Sequence, residues 1–207
     1  MHKHSALLVI DVQPDFCLGG PLAVPGGTDI IPLINLLAKK FETVVLTQDW
    51  HPASHISFAA NHPGRAPFEM LSLPYGEQVL WPTHCVMATE GAALHPALDI
   101  SHAALVLRKG SHQNVDSYSA FLEADRTTKT GLDGYLRSRD IEHVYLCGLA
   151  TDFCVAWSAE DAASFGFTAT LIEDACRAID LGGSLNAAFM RLDRAGVTRV
   201  KSNDFTG

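Results

Sequence analysis

The chain has 207 residues, 47% of them hydrophobic and 18% charged, which is enough apolar material for one packed core and excludes a disordered or disulfide-stapled miniature. Its 15 Lys and Arg stand against 23 Asp and Glu, a net charge of -8, the wrong sign for a partner with a polyphosphate backbone, so nucleic acid is excluded. Five cysteines with no CxxC pair argue against a disulfide framework or a cysteine-built zinc site and suit a reducing cytosol.

The first apolar run, 6–10, ends at Asp11 and is too short for a signal-peptide core or a membrane span, so a cytoplasmic protein with no membrane partner is expected. Similar β-branched and aliphatic runs recur at 43–47, 104–107, 143–147, 168–172 and 197–201, apolar at nearly every position as in strands buried on both faces. Helical patterns lie between most of them. One starts at Thr28 and runs through Lys40. Another starts at Thr151 or Asp152 and ends near Gly166, and a third runs from Ser184 through Ala195 with Gly196 as its terminal glycine. A weaker one follows Thr130 over 132–139, where Gly131 and Gly134 oppose it. The amino-terminal His2 and His4 read as a frayed end.

Alternating strands and helices predict an α/β fold, a Rossmann-like three-layer α/β/α sandwich on a mostly parallel six-stranded sheet. Nothing in the composition divides the chain, so 1–207 reads as a single domain, irregular only over about 48–101.

Ligands in such sheets bind beyond the carboxyl ends of the strands, and those positions here carry reactive groups. Asp11 ends the first strand, Asp49 and His51 follow the second, Lys109 ends the third, and Cys154 follows the fourth. Cys154 falls in the first turn of a helix, where free N–H groups and the dipole favour thiolate and suit a nucleophile. Asp11 as base and Lys109 as a stabilising charge complete a triad for acyl transfer. Cys17, Cys85, Cys147 and Cys176 read as structural thiols.

Asp49 and His51, two apart, point to one side of an extended chain and suit a metal ion, with His84 a plausible third ligand. Such a set accepts zinc, iron or manganese. His55 stands open as a fourth ligand or a supporting residue, and His62, His95, His102, His112 and His143 read as solvated or packing residues.

These residues sit in blocks that resemble the isochorismatase-like cysteine hydrolase superfamily, and within it the bacterial nicotinamidase and pyrazinamidase group. The blocks are Asp11-Val12-Gln13-Pro14-Asp15-Phe16; Thr47-Gln48-Asp49-Trp50-His51-Pro52 with His55 and Ser57-Phe58-Ala59; and Trp81-Pro82-Thr83-His84-Cys85-Val86. Arg108-Lys109-Gly110, Asp116-Ser117-Tyr118-Ser119-Ala120-Phe121 and Cys147-Gly148-Leu149-Ala150-Thr151-Asp152-Phe153-Cys154-Val155 follow in the same order.

The resemblance implies a catalytic triad of Asp11, Lys109 and Cys154, and one divalent metal ion, zinc first with iron or manganese as alternatives, on Asp49, His51 and His84. It implies a cis peptide between Leu149 and Ala150, and an oxyanion hole from the N–H groups of Ala150 and Cys154. It further implies a pyridine ring held between Phe16 and Trp81, with Tyr118 nearby. The implied activity is hydrolysis of nicotinamide to nicotinate and ammonia through a Cys154 thioester, in NAD salvage, with pyrazinamide as a further substrate and a monomer or homodimer as the assembly.

Two alternatives stand beside it. One is another small-amide or carbamoyl hydrolase with the same triad but no metal, which the Asp49, His51, His84 set opposes. The other is a non-haem iron oxygenase using those three residues, which usually needs an all-β barrel and leaves Cys154 and Lys109 without a role.

Overall fold

Six strands form one sheet in the order β5-β2-β1-β6-β7-β8, and every neighbouring pair is parallel. They are β1 His2–Ile10, β2 Phe41–Asp49, β5 Ala103–Lys109, β6 His143–Leu149, β7 Thr168–Arg177 and β8 Thr198–Val200. The computed structural model describes residues 2–204, with the side chains of residues 2 and 3 left aside. The helices are α1 Ile31–Ala38, α2 Leu132–Arg137, α3 Ala156–Ser164 and α4 Ser184–Arg194. Among the described residues no helix is long and apolar enough to cross a membrane.

Successive side chains of a strand point to opposite faces, yet every residue of 6–10 is buried, so the sheet is covered on both sides at β1. The α/β fold expected from the alternating pattern is the one observed, as a wholly parallel rather than mostly parallel sheet. From β1 the chain builds outward through β2 to β5, then returns to the other flank of β1 with β6. The crevice between the carboxyl ends of β1 and β6 is therefore the topological switch point, where such sheets bind ligands.

The differences from the expected elements are local. The amino end is not frayed: β1 begins at His2, which pairs with Phe41, and the His4 ring bonds to the Asp140 carbonyl at 3.0 Å. The first helix opens with a tight turn over Gly27–Ile30 and becomes α-helical only at Ile31, with Pro32 in its first turn. In α4, Gly183 rather than Ser184 takes the capping position, because the Ser184 hydroxyl donates to Asp152 Oδ2 at 2.5 Å. Within the stretch expected to be irregular, Met70–Leu73 (β3) and Gly76–Val79 (β4) form an antiparallel hairpin. Four-residue strands are too short for an alternation to stand out from the sequence.

Candidate active site

Asp11 lies one residue past β1 and is wholly buried, at φ 48°, where the chain turns off the sheet. Its Oδ1 accepts a hydrogen bond from Thr47 Oγ1 at 2.5 Å, and its own N–H donates to that hydroxyl at 3.0 Å. Oδ2 is ion-paired with Lys109 Nζ at 2.9 Å, and this carboxylate, Asp49 and the Cys154 thiol bring their atoms to within 4.8 Å of one another. Burial raises the Asp11 carboxyl against the pull of the Lys109 ammonium, and Asp49 adds to the rise.

Lys109, the last residue of β5, pairs in register with Asp49 at the end of β2. Its ammonium therefore emerges beside Asp49 Oδ1 and reaches on to Asp11, to the Ser117 carbonyl at 2.9 Å and to Cys154 Sγ at 3.5 Å. Although burial opposes its charge, Asp11 and Asp49 hold it far above the ordinary lysine range. A buried ammonium between two carboxylates and a thiol is a fixed positive charge.

Cys154 sits in a widened π-type turn over Thr151–Val155, just before α3, with 7% of its surface exposed. The peptide between Leu149 and Ala150 is cis, as the resemblance implies. The N–H groups of Phe153 and Val155 both donate to the Ala150 carbonyl, each at 3.1 Å. The thiolate expected from a helix start is corrected here. Burial pushes the Cys154 thiol well above its ordinary value, the Lys109 ammonium pulls it down, and Asp11 and Asp49 push it back up. A thiol raised in this way needs a base for its ionisation, and the Asp11 carboxylate stands beside it.

Asp49, His51 and His84 bring one ligand atom each to within 4.8 Å of one another, all buried. His51 Nδ1 is 2.8 Å from the Gly110 carbonyl and His84 Nδ1 2.7 Å from the Pro82 carbonyl. A carbonyl only accepts, so both Nδ1 atoms carry the proton and the Nε2 atoms turn to Asp49 Oδ2, at 3.5 and 3.9 Å. Gly110 is obligatory for this: at φ 68°, a Cβ on it would lie 2.4 Å from His51 Cε1. Two imidazole nitrogens and a carboxylate oxygen thus converge, and the set calls for positive charge. Against burial, Asp49 raises His51 towards the protonated form, and against the same burial Lys109 and His51 hold the Asp49 carboxyl far below its ordinary range. A divalent metal ion fits that donor set and its electrostatics.

His55, left open by the sequence, is placed differently. Its Nε2 is 3.2 Å from the Val115 carbonyl and its Nδ1 is 2.7 Å from Ser57 Oγ, so both nitrogens are engaged within the protein. Burial and the neighbouring His51 hold it neutral, at about 4, and its ring packs 4.1 Å from that of His51. With His51 and Asp116 it also forms a second buried group whose ligand atoms lie within 4.8 Å of one another, beside that of Asp49, His51 and His84.

Phe16, Trp81 and Tyr118 line one cleft together with Ala150, Cys154, Asp49, His51 and His84. The Phe16 ring lies 5.4 Å from that of His84, and Trp81 Nε1 donates to the Tyr118 hydroxyl at 3.1 Å. A further concavity lies beyond Tyr118, between the β3–β4 hairpin and Trp157, without the thiol, the lysine or the histidine pair. Sequence reasoning missed Leu22, Phe153, Asp116 and Ile179, which also face the cleft. Ile179 follows the carboxyl end of β7, but the apolar run predicts a strand ending at 172, and β7 runs to Arg177.

The model of the isochorismatase domain matches residues 5–204. The chain is 57% identical over 202 residues to a nicotinamidase of Acinetobacter baylyi, covering 98% of this chain and 94% of that one. Among solved structures it is similar to a nicotinamidase/pyrazinamidase of Acinetobacter baumanii, with a TM-score of 0.97, 58% identity and 99% of each chain covered. It is also similar to a pyrazinamidase of Pyrococcus horikoshii in complex with zinc, with a TM-score of 0.78, 32% identity, and 96% of this chain and 99% of that one covered.

Proposed function

The chain belongs to the isochorismatase family, and on that premise we propose that it is an amidohydrolase converting nicotinamide to nicotinate and ammonia through a thioester at Cys154. The observation that carries the chemistry is the buried meeting of the Asp11 carboxylate, ion-paired with the Lys109 ammonium at 2.9 Å, with the Cys154 thiol that the same ammonium reaches at 3.5 Å. The relatives named nicotinamidase support the substrate.

In this reading Asp11 Oδ2 removes the Cys154 proton, and the thiolate adds to the carboxamide carbon. The oxygen that becomes anionic is held by the N–H groups of Ala150 and Cys154. Protonated Asp11 passes its proton to the amine as the C–N bond breaks, releasing ammonia and leaving the thioester. Asp11 then deprotonates water, whose oxygen attacks the thioester, nicotinate departs, and the proton returns to sulfur. Lys109 stays charged throughout and offsets each negative charge that passes near it.

Asp49, His51 and His84 would hold one divalent metal ion, with zinc the first candidate given the zinc-bound relative and iron or manganese as alternatives. When bound, it supplies an electrophile for the pyridine nitrogen. Phe16, Trp81 and Tyr118 line the cleft, and in this reading the first two flank the ring, Tyr118 closes its edge, and the closely similar ring of pyrazinamide is a further substrate. A nicotinate product would feed NAD salvage, and five unpaired, buried cysteines suit a cytosolic location. The test is ammonia release from nicotinamide by purified protein, before chelation, after it, and after adding back zinc, iron or manganese singly. No release under any of these conditions overturns the reading.

A further inference from the structure

The segment after β1 carries two side chains that the mechanism does not use. Gln13 is completely buried, and its amide clasps the backbone of Asp49 from both sides. Oε1 accepts the Asp49 N–H at 2.8 Å, and Nε2 donates to the Asp49 carbonyl at 2.9 Å. A side chain here does what a neighbouring strand does elsewhere in the sheet. β1 pairs with β2 only as far as Val9 and Leu46, after which the turn at Asp11 takes the main chain away. The second proton of Nε2 goes to the Ala92 carbonyl at 2.9 Å, in the segment that leads away from His84.

Two residues later, Asp15 Oδ2 accepts the N–H of Cys85, the residue after His84, at 2.7 Å. Gly91 presses against the same carboxylate so closely that a Cβ there would lie 2.1 Å from Oδ1. Asp15 N–H in turn donates to the Gly91 carbonyl at 3.2 Å. The three candidate ligands come from two separate stretches, Asp49 with His51 and then His84, and this one segment grips both. It also carries Asp11 at one end and Phe16 at the other.

We propose that Gln13 and Asp15 are positioning residues that hold the two ligand-bearing stretches in register with each other and with Asp11. The three candidate ligands are thereby set at a fixed place relative to the Asp11 carboxylate. This rests on the reading of Asp49, His51 and His84 as metal ligands. Groups one step behind the ligands fix ligand orientation, and their loss typically costs about 10–100-fold in metal affinity or activity.

The test uses the full chain stripped by chelation, as wild type, Gln13→Met and Asp15→Ala, each titrated with Co²⁺. The readouts are the visible absorption of bound Co²⁺, its affinity by chelator competition, the thermal melt, and iodoacetamide labelling of Cys154. Folded variants are expected to label Cys154 like wild type while binding Co²⁺ about 10–100-fold more weakly with an altered spectrum. Folded variants with wild-type affinity and spectrum overturn the proposal. If Gln13→Met does not fold, Asp15→Ala, at a half-buried position, decides alone. A wild-type protein that takes up no Co²⁺ overturns the metal reading itself, which separates that failure from the failure of the positioning role.

Discussion

Lys109 and Cys154 face each other with Nζ 3.5 Å from Sγ, the ammonium being tied on its other sides to Asp11, Asp49 and the Ser117 carbonyl. Burial drives the thiol up and this charge draws it down, so removing the charge must raise it further. Lys109→Met is expected to move the midpoint of Cys154 alkylation to higher pH and to lower turnover by on the order of 10²-fold or more. Lys109→Arg should not restore it, because a broad guanidinium cannot replace a compact ammonium. The methionine variant also leaves Asp11 and Asp49 buried without their counter-charge, a cost of about 3–5 kcal/mol. Labelling must therefore be followed below its melting temperature, by mass spectrometry of the Cys154 peptide. An unchanged midpoint in folded protein would mean that the turn alone sets the thiol's acidity.

Cys154→Ala is expected to lose activity by on the order of 10³-fold or more while keeping the melt and the metal content of the wild type. Cys154→Ser should be nearly as inactive, since a hydroxyl is a far weaker acid than a thiol and Asp11 too weak a base for it. Ammonia release beside metal analysis checks this, and a largely active alanine variant would sink the thioester mechanism.

Asp49→Ala and His84→Ala are expected to lose bound metal and raise the KM for nicotinamide while leaving Cys154 open to iodoacetamide. His84→Ala is the cleaner of the two, because Lys109 keeps its contacts to Asp11, Asp49 and Ser117 when His84 is gone, whereas Asp49→Ala also removes a partner of Lys109. Undiminished turnover in a variant shown to contain no metal would refute the ring-holding role.

Gly110→Ala is expected to disturb the site without removing any ligand atom. The new Cβ would meet the His51 ring at 2.4 Å on a backbone at φ 68°, which an alanine adopts only at a cost of about 1–2 kcal/mol. A fall in melting temperature of roughly 2–8 °C should accompany lost metal affinity. Wild-type metal binding in this variant would show that His51 has room to move and that the contact does not constrain it.

The α/β alternation, the strand-end positions of Asp11, Lys109 and Cys154, and the spacing of Asp49 and His51 were all legible in the sequence. They depend on local pattern: apolar runs name the strands, and a parallel sheet concentrates its chemistry at their carboxyl ends. The weakest local signals were lost, namely the β3–β4 hairpin and the end of β7, where Glu173 and Asp174 interrupt the apolar run although the strand continues.

What only the tertiary structure decided concerns groups far apart in the chain. Whether Cys154 rests as a thiol or a thiolate turns on how deeply it is buried between Asp11 and Lys109, and burial overrides the helix end that the local sequence displays. Where His55 points is set by Val115 and Ser57, which face its two nitrogens, and by Asp116, which no local spacing links to it. That Gln13 clasps Asp49 follows from β1 ending before β2 does, a matter of register between strands. Residue type and spacing determine which chemistry is available. Desolvation and hydrogen-bond partners, which depend on what folds against each group, determine its protonation and its aim.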